Sequence, residues 1–275
     1  MKNLDDVNRV IGEFANRISN PKPVKKGARL YTGVDLGTAY IVLAVVDEEG
    51  TPIAGASRFA QVVKDGLVVD YLGAVGIVRE LKNKLEEDLN TDLELGGAAY
   101  PPGTEVGDQR AIRNVAEAAG FEVTALVDEC TAANKVLGIQ NGAVIDIGGG
   151  TTGVAVLKGG KVVYVADEPT GGTHFNLVIA GACKVSFEEA ESLKQDPHKQ
   201  LELFPIVKPV MQKVASIINR HIQGQNVDAI YLAGGTSCYA GIEKVIRDET
   251  GVPTFKPENP FLVTPLGIAL SVPRS

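Results

Sequence analysis

The chain has 275 residues, of which 44% are hydrophobic and 22% are charged, and its net charge is −7. This composition is typical of a globular protein with enough length for two domains. The negative charge disfavours nucleic acid as a main partner, because phosphate contacts require clustered lysine and arginine.

Targeting and redox signals point to the cytoplasm. The longest apolar run, near residues 41–46, is too short to span a bilayer, so we expect no membrane span. The first ten residues, MKNLDDVNRV, lack the apolar core of a signal peptide. Cys130, Cys183 and Cys238 are widely spaced and odd in number, which favours a reducing compartment over a disulfide framework.

The first predicted element is an amphipathic helix. Apolar residues recur at helical spacing over residues 4–18, and a proline- and lysine-rich linker follows at 19–27. We therefore assign 1–27 to an N-terminal amphipathic helix and linker. Packing of this helix on its own domain is favoured, and docking on a partner is the alternative.

A strand–loop–strand unit follows at residues 33–50, GVDLGTAYIVLAVVDEEG. Asp35 ends the first predicted strand, Gly37 and Thr38 form the loop, and residues 41–46 form the second strand. Amphipathic helices are predicted over 74–89 and 108–120.

The stretch DIGGGTTG, residues 146–153, matches the dinucleotide-binding pattern G-x-G-x-x-G. In the dinucleotide-binding fold the glycines stand at the start of a helix. Here two β-branched runs separated by Lys158–Lys161 follow them, which predicts a hairpin. Glycines still allow the backbone to approach a phosphate, and the threonines add hydroxyl donors. A plain glycine turn is the alternative.

The two Asp-x-Gly units, at Asp35 and at Asp146, form an internal repeat, and such repeats determine the architecture. Loops facing each other would clamp a polyphosphate, and their carboxylates suit Mg²⁺. A third glycine pair, Gly234-Gly235, follows a strand at 228–233 and precedes a helix at 239–250, where it would lie against a base or ribose. An ordinary turn is its alternative. The long helix at 203–223 is expected to be interrupted by Pro205 and Pro209.

Taken in this order, the motifs resemble those of the actin, heat-shock chaperone and sugar-kinase ATPase superfamily. GVDLGT and DIGGGTTG resemble its phosphate motifs and LAGGTS its adenosine motif; residues 127–138 and 261–271 resemble its connecting helices. The resemblance implies an α/β, actin-like ATPase fold with two duplicated ribonuclease-H-like lobes around a nucleotide cleft and reduced peripheral subdomains. The lobes would comprise 28–138 plus 261–275, and 139–260.

The resemblance also implies ATP or ADP with Mg²⁺ in the cleft. Asp35 and Asp146 would hold the metal, and Glu129 would orient the attacking water; the alternative for Glu129 is a helix-start acid interacting with the helix dipole. Glu191 and Lys194 alone would be interpreted as a solvated ion pair. The implied phosphate contacts are Gly37, Thr38, Gly148, Gly149, Gly150, Thr151 and Thr152, and the implied nucleoside contacts are Glu191, Lys194, Gly234, Gly235 and Thr236.

One residue departs from the superfamily pattern. Many relatives have aspartate where this chain has Gly153, at the end of the second phosphate motif. The missing carboxylate removes a metal or water contact, so we expect retained nucleotide binding with slow hydrolysis.

Several segments, including YPPGT, ADEPTGG and SFEEAESLK, are similar to a chaperone-like family of ethanolamine utilisation. The implied role is a nucleotide-switched protein whose client is an ethanolamine-degrading enzyme or a microcompartment component, located in the cytoplasm or with the microcompartment. An actin-like filament protein is one alternative. A small-molecule kinase is another, disfavoured because no additional domain is available to hold an acceptor.

Overall fold

Within residues 4–274, which the computed structural model describes, two five-stranded sheets share one strand order. The first sheet runs β3-β2-β1-β6-β7 and the second runs β10-β9-β8-β11-β12. In each sheet three consecutive strands pair antiparallel, and two further strands add in parallel beside the first strand of the hairpin. The strands of the first sheet are β1 (Tyr31–Leu36), β2 (Tyr40–Val46), β3 (Pro52–Phe59), β6 (Leu95–Tyr100) and β7 (Glu122–Asp128).

The second sheet repeats this arrangement about a hundred residues later. Its strands are β8 (Gly142–Ile147), β9 (Thr152–Lys158), β10 (Lys161–Glu168), β11 (Ile230–Ala233) and β12 (Thr254–Phe255). A separate small hairpin, β4 (Val63–Lys64) with β5 (Leu67–Val68), projects from the first half of the chain. The duplicated topology confirms the predicted internal repeat and the hairpin, rather than helix, after the second glycine-rich loop.

Helices cover the faces that each sheet turns outward. We use lobe 1 for the first sheet with α2 and α3, and lobe 2 for the second sheet with α5 to α8; buried apolar residues of each set pack into one core. Among residues 4–274, no helix combines the length and the apolar character that a membrane crossing requires. The helices are α1 (Leu4–Ser19), α2 (Tyr71–Leu89), α3 (Val106–Ala118), α4 (Glu129–Leu137), α5 (Gly172–Cys183), α6 (Phe187–Gln195), α7 (Pro197–Ile222), α8 (Ile242–Thr250) and α9 (Val263–Ser271).

Helices α4 and α9 join the two lobes. They pack into a common core with inward-facing residues of both sheets. A Cβ atom added to Gly267 on α9 would lie 1.9 Å from the carbonyl oxygen of Ala132 on α4, and one on Gly33 would lie 2.5 Å from that of Pro265. Only glycine permits backbones this close, so the two helices are held tightly against each other and against β1.

The N-terminal helix α1 packs on the same chain. Val7, Ile11 and Phe14 are buried on its apolar face, and a Cβ atom on Gly55 of β3 would lie 2.7 Å from the Phe14 ring. The amide of Glu258, from the second half of the chain, donates to Asn8 Oδ1 at 2.9 Å. The apolar face that a docking partner would use is therefore covered, in agreement with the packing interpretation.

The expected interruption of the long helix is wrong, because α7 continues through Pro205 and Pro209. Both prolines lie on the exposed side of the helix, while Leu203, Val207 and Met211 face the core of lobe 2. Water can satisfy the carbonyl groups that lose their helical partners on the solvent side. Burial of the opposite face stabilises the helix across both positions.

Candidate functional site

The two phosphate-type loops lie opposite each other across a cleft between the lobes. A Cβ atom on Gly149 would lie 3.1 Å from Ala39 Cβ, and one on Gly150 would lie 2.6 Å from Thr38 Oγ1. Both loops line one cavity of about 390 Å³. The aspartates of the two repeats also line it, so the two Asp-x-Gly units belong to a single site.

Most of the residues singled out in the sequence meet at this cavity. Thr152 is the exception, because it is buried inside lobe 2, where its hydroxyl donates to the Thr170 carbonyl oxygen at 2.6 Å. The predicted residues that line the cavity are Asp35, Gly37, Thr38, Glu129, Asp146, Gly148, Gly149, Gly150, Thr151, Glu191, Lys194, Gly234, Gly235 and Thr236.

Other residues of lobe 2 fix the glycine loop at 148–151 by donating hydrogen bonds to its carbonyl oxygens. The Gly148 carbonyl oxygen accepts from the Gly172 amide at 3.0 Å and from Thr236 Oγ1 at 2.7 Å, and the Gly149 carbonyl oxygen accepts from the Thr173 amide at 2.7 Å. These donors come from the start of α5 and from the turn after β11. The loop is therefore fixed by groups behind it, while its glycine surface stays open to the cleft.

Three carboxylates, those of Asp35, Asp146 and Glu129, line the floor of the cleft. Asp146 accepts from the Thr264 hydroxyl of α9, and Gly234, with φ of +84°, leaves room for it, since a Cβ there would lie 2.2 Å from Asp146 Oδ1. Burial, with a contribution from Asp146, raises the pKa of Asp35 to about 7.

The other two acids are shifted in the same direction. Burial raises the pKa of Asp146 to about 6 although the Thr264 hydrogen bond lowers it. Burial, followed by the charges of Asp146 and Asp35, raises the pKa of Glu129 well above its ordinary value. Desolvation and mutual repulsion both disfavour the charged forms, so these acids favour a positively charged ligand.

The opposite end of the cavity holds a hydrogen-bonded network around Glu191, which is 6% exposed. Its Oε2 accepts from Lys194 Nζ at 2.6 Å and from Asn176 Nδ2 at 2.5 Å, and its Oε1 accepts from Gln195 Nε2 at 2.7 Å. Burial raises the pKa of Glu191, but Lys194, Asn176 and Gln195 outweigh it and leave that pKa below its ordinary value. Glu191 and Lys194 are thus a buried, oriented pair rather than a solvated one.

Some contacts in and around the cleft carried no sequence signal. Gln195 Nε2 donates across the cleft to the Tyr40 hydroxyl at 2.6 Å, and the Tyr40 ring meets Phe261 edge-on with ring centroids 5.5 Å apart. Lys256 Nζ donates to the carbonyl oxygens of Ser237 and Tyr239 at 3.1 and 2.9 Å, which fixes the turn after β11. These contacts join residues far apart in the chain, so no local motif reveals them.

The repeated sheet order, the paired Asp-x-Gly hairpins and the cleft between them define an actin-like ATPase fold. The fold of MreB5 of Spiroplasma citri, solved bound to AMPPNP, is similar, with a TM-score of 0.70 over 88% of this chain and 95% of that one at 18% identity. A family model described as type IV pilus assembly protein PilM matches residues 119–267.

Nearer relatives cover almost the whole chain. Ethanolamine utilization protein EutJ of Escherichia coli K12 is 43% identical over 94% of this chain and 92% of its own length. The crystal structure of EutJ from Carboxydothermus hydrogenoformans is 45% identical and has a TM-score of 0.91, covering 98% of this chain and 100% of that one. The chain belongs to the EutJ family, and through residues 119–267 to the family described as PilM.

The raised pKa of Asp35 predicts an unusual dependence of stability on pH. Between about pH 4 and 7 the folded state retains a proton that the unfolded state has released, so the free energy of unfolding falls as pH rises. Asp35→Asn has no carboxyl group to titrate, so its free energy of unfolding does not fall for this reason as pH rises. We expect its unfolding temperature without ligand to exceed that of the wild type by roughly 5 °C at pH 8 and by much less at pH 5.

The matched control is Asp88→Asn, on the exposed side of α2, which should change the unfolding temperature little at either pH. Differential scanning calorimetry at both pH values measures the effect. A lower unfolding temperature for Asp35→Asn at pH 8 would contradict the interpretation that this carboxylate is destabilising in the ligand-free protein.

Proposed function

We propose that the cleft binds ATP or ADP with Mg²⁺ and that closure of the lobes on the nucleotide switches a chaperone-like protein of ethanolamine utilisation. The observation that supports this most directly is the approach of the two glycine loops to within contact distance across one cavity. Glycine backbones on both sides and the hydroxyl of Thr38 offer donors to phosphate oxygens.

The acidic floor fits a divalent cation. A cation stabilises the charged forms of Asp35 and Asp146, whose burial otherwise favours protonation. Within residues 4–274, no three acidic, histidine or cysteine side chains are grouped closely enough to hold a metal ion by themselves. Mg²⁺ is commonly held by one or two carboxylates together with water and phosphate oxygens. When bound it would neutralise charge on the transferred phosphoryl group.

In this proposal Glu129 orients the attacking water. It is the first residue of α4, after the N-cap Asp128, whose side chain accepts from the Thr131 amide. Its raised pKa brings the carboxylate closer to the range in which a base accepts a proton from water effectively. With no carboxylate at Gly153, hydrolysis remains slow in this proposal.

The nucleoside would occupy the end of the cavity formed by α6 and the turn after β11. Glu191 directs the Lys194 ammonium group towards the cavity, and Gly234 and Gly235 present bare backbone. The rings of Tyr40 and Phe261 come from opposite ends of the chain to the same end of the cleft.

The switch would act through contacts that join the lobes. The Gln195–Tyr40 hydrogen bond spans the cleft, whereas α4 and α9 form the packed connection at its floor. A ligand that binds the closed arrangement more tightly shifts the population towards it. Membership of the EutJ family supports a role in ethanolamine utilisation. The proposed client is an ethanolamine-degrading enzyme or a microcompartment component, in the cytoplasm or at the microcompartment.

Replacing Lys194 tests the nucleoside end of the site. Lys194→Met removes a buried charged donor while keeping the length of the side chain, so affinity for Mg-ATP should fall about tenfold or more. Isothermal titration calorimetry measures the affinity. Lys199→Met, in an exposed pair with Glu202, is the matched control and should bind as the wild type does. Equal affinity in the two variants would contradict the assignment.

Replacing Glu129 tests hydrolysis separately from binding. Glu129→Gln keeps the size of the side chain but removes the proton acceptor, so single-turnover cleavage of ATP should slow by about 10²-fold or more. The affinity for ATP should change little by comparison. An unchanged cleavage rate would show that Glu129 is only a helix-start acid.

Replacing Tyr40 tests the connection across the cleft without disturbing the hydrogen bond between Gln195 and Glu191. Tyr40→Phe removes only the hydroxyl that accepts from Gln195, so release of a fluorescent ATP analogue in stopped-flow experiments should accelerate about fivefold. Gln109→Ala breaks a side-chain hydrogen bond to the Thr104 carbonyl oxygen within lobe 1 and serves as control. If the analogue leaves both variants as slowly as it leaves the wild type, this hydrogen bond does not hold the cleft closed.

A further inference from the structure

Three residues form a row across the edge of the second sheet. Asp146 on β8 is directly opposite Gly153 on β9, and Gly153 is directly opposite Asp167 on β10. Residues opposite each other on neighbouring strands point to the same face, and two strand spacings separate the backbones of the outer pair by roughly 10 Å. Asp146 and Asp167 thus extend from one face with no side chain between them.

That face is turned towards the connecting helix. A Cβ atom added to Gly153 would lie 3.1 Å from Pro102 Cδ and 3.3 Å from Cys130 Sγ. Cys130 follows Glu129 at the start of α4. The row therefore begins at Asp146, which lines the cleft, and continues past Gly153 to Asp167, which lies outside the cavity lining. The charge of Asp167 still contributes to the raised pKa of Glu129.

The Asp167 carboxylate is held in place but only partly satisfied. It accepts a hydrogen bond from the side chain of Thr151, a residue of the glycine loop that lines the cavity. Its Oδ1 atom is buried and, among residues 4–274, has no hydrogen-bond partner. A buried carboxylate oxygen without a donor is unfavourable, so protonation, a water molecule or a cation would each relieve it.

The charges that raise the pKa of Asp167 come from three other acids. Burial, followed by Asp146, Glu168 and Asp65, raises its pKa to about 7, against the Thr151 hydrogen bond, which lowers it. Asp65 lies in the turn of the β4–β5 hairpin, and its amide nitrogen would lie 3.0 Å from a Cβ on Gly150. Asp167 thus faces the place where lobe 1 meets the Thr151 end of the loop.

The position of Asp167 along the loop indicates which part of a nucleotide it would meet. Thr236, at the proposed nucleoside end, donates to the carbonyl oxygen of Gly148 at the start of the loop. Thr151 and Asp167 lie at the other end. A triphosphate extending along the loop from the nucleoside end would place its terminal phosphate, which ADP lacks, nearest to Asp167.

We propose that Asp167 is a further carboxylate of this site, whose free oxygen accepts a hydrogen bond from the water shell of a divalent cation bound with ATP. The inference rests on the proposed function, since it concerns the same cleft and the same ligand. Asp167 occupies the neighbouring strand at the level of Gly153, so its carboxylate lies one strand farther from Asp146 than a carboxylate at position 153 would.

Asp167→Asn tests this role through binding. The amide keeps an acceptor for Thr151 but carries no charge. In EDTA the variant should bind ATP about threefold more tightly, because a negative charge facing the phosphates is removed. With Mg²⁺ it should bind ATP about threefold more weakly, because an acceptor for the hydrated ion is lost. The ratio of ATP affinity with Mg²⁺ to ATP affinity in EDTA, which we call the Mg²⁺ enhancement, thus falls about tenfold in the variant. The same ratio for ADP changes less.

Glu168→Gln is the matched control, because this neighbouring acid points to the other face of the sheet and accepts from His221 and Arg220. Its Mg²⁺ enhancement should equal that of the wild type in calorimetric titrations. Asp167→Ser provides the same comparison if the amide destabilises the fold.

The outcomes separate this inference from the function on which it rests. Wild-type protein that binds neither nucleotide would overturn the proposed function, and the inference with it. Wild-type protein that binds ATP, with an unchanged Mg²⁺ enhancement in both Asp167 variants, would overturn the inference alone. A change of the same size with and without Mg²⁺ would also overturn it, since a purely structural role predicts that result.

Discussion

The close approach of two glycine loops across the cleft is the constraint on which the remaining structure depends. Gly149 lies against Ala39, and Gly150 lies against Thr38 and the Asp65 backbone. A Cβ atom on Gly150 would lie 2.6 Å from Thr38 Oγ1, so a side chain there would displace the facing loop, whereas one on Gly149 would press on Ala39 at 3.1 Å. Each loop is in turn the hairpin bend of a five-stranded sheet. The packing of α4 against α9, which requires Gly267, holds the two sheets at the distance that lets these loops meet.

Local sequence patterns were sufficient to predict those parts of the fold that depend on residues close together in the chain. Each Asp-x-Gly unit joins an apolar strand to a glycine loop and a β-branched strand, and the structure forms both hairpins at the predicted positions. The repeat then implied two equivalent sheets, which the observed strand orders confirm. Because the glycines required at a close approach stand in the motifs themselves, most of the cavity lining could also be anticipated.

Contacts between distant residues could not be predicted in this way. The Gln195–Tyr40 hydrogen bond joins residues 155 positions apart, and nothing near either residue marks the other. Pro205 and Pro209 indicated a broken helix, but the exposure of both prolines and the burial of the opposite face outweigh that local preference. Asp167 stands in no glycine motif, and only the strand register places it level with Asp146.

In the proposed function, the buried acids would connect ligand binding to the conformation of the cleft. Asp35 belongs to lobe 1 and Asp146 to lobe 2, and the charge of Asp146 raises the pKa of Asp35. Bringing the lobes together therefore increases a repulsion that a bound cation would relieve. By linkage, a ligand that stabilises the closed arrangement is itself bound more tightly by it. The same carboxylates that make the ligand-free protein less stable at high pH would thus make closure depend on the charge of the ligand.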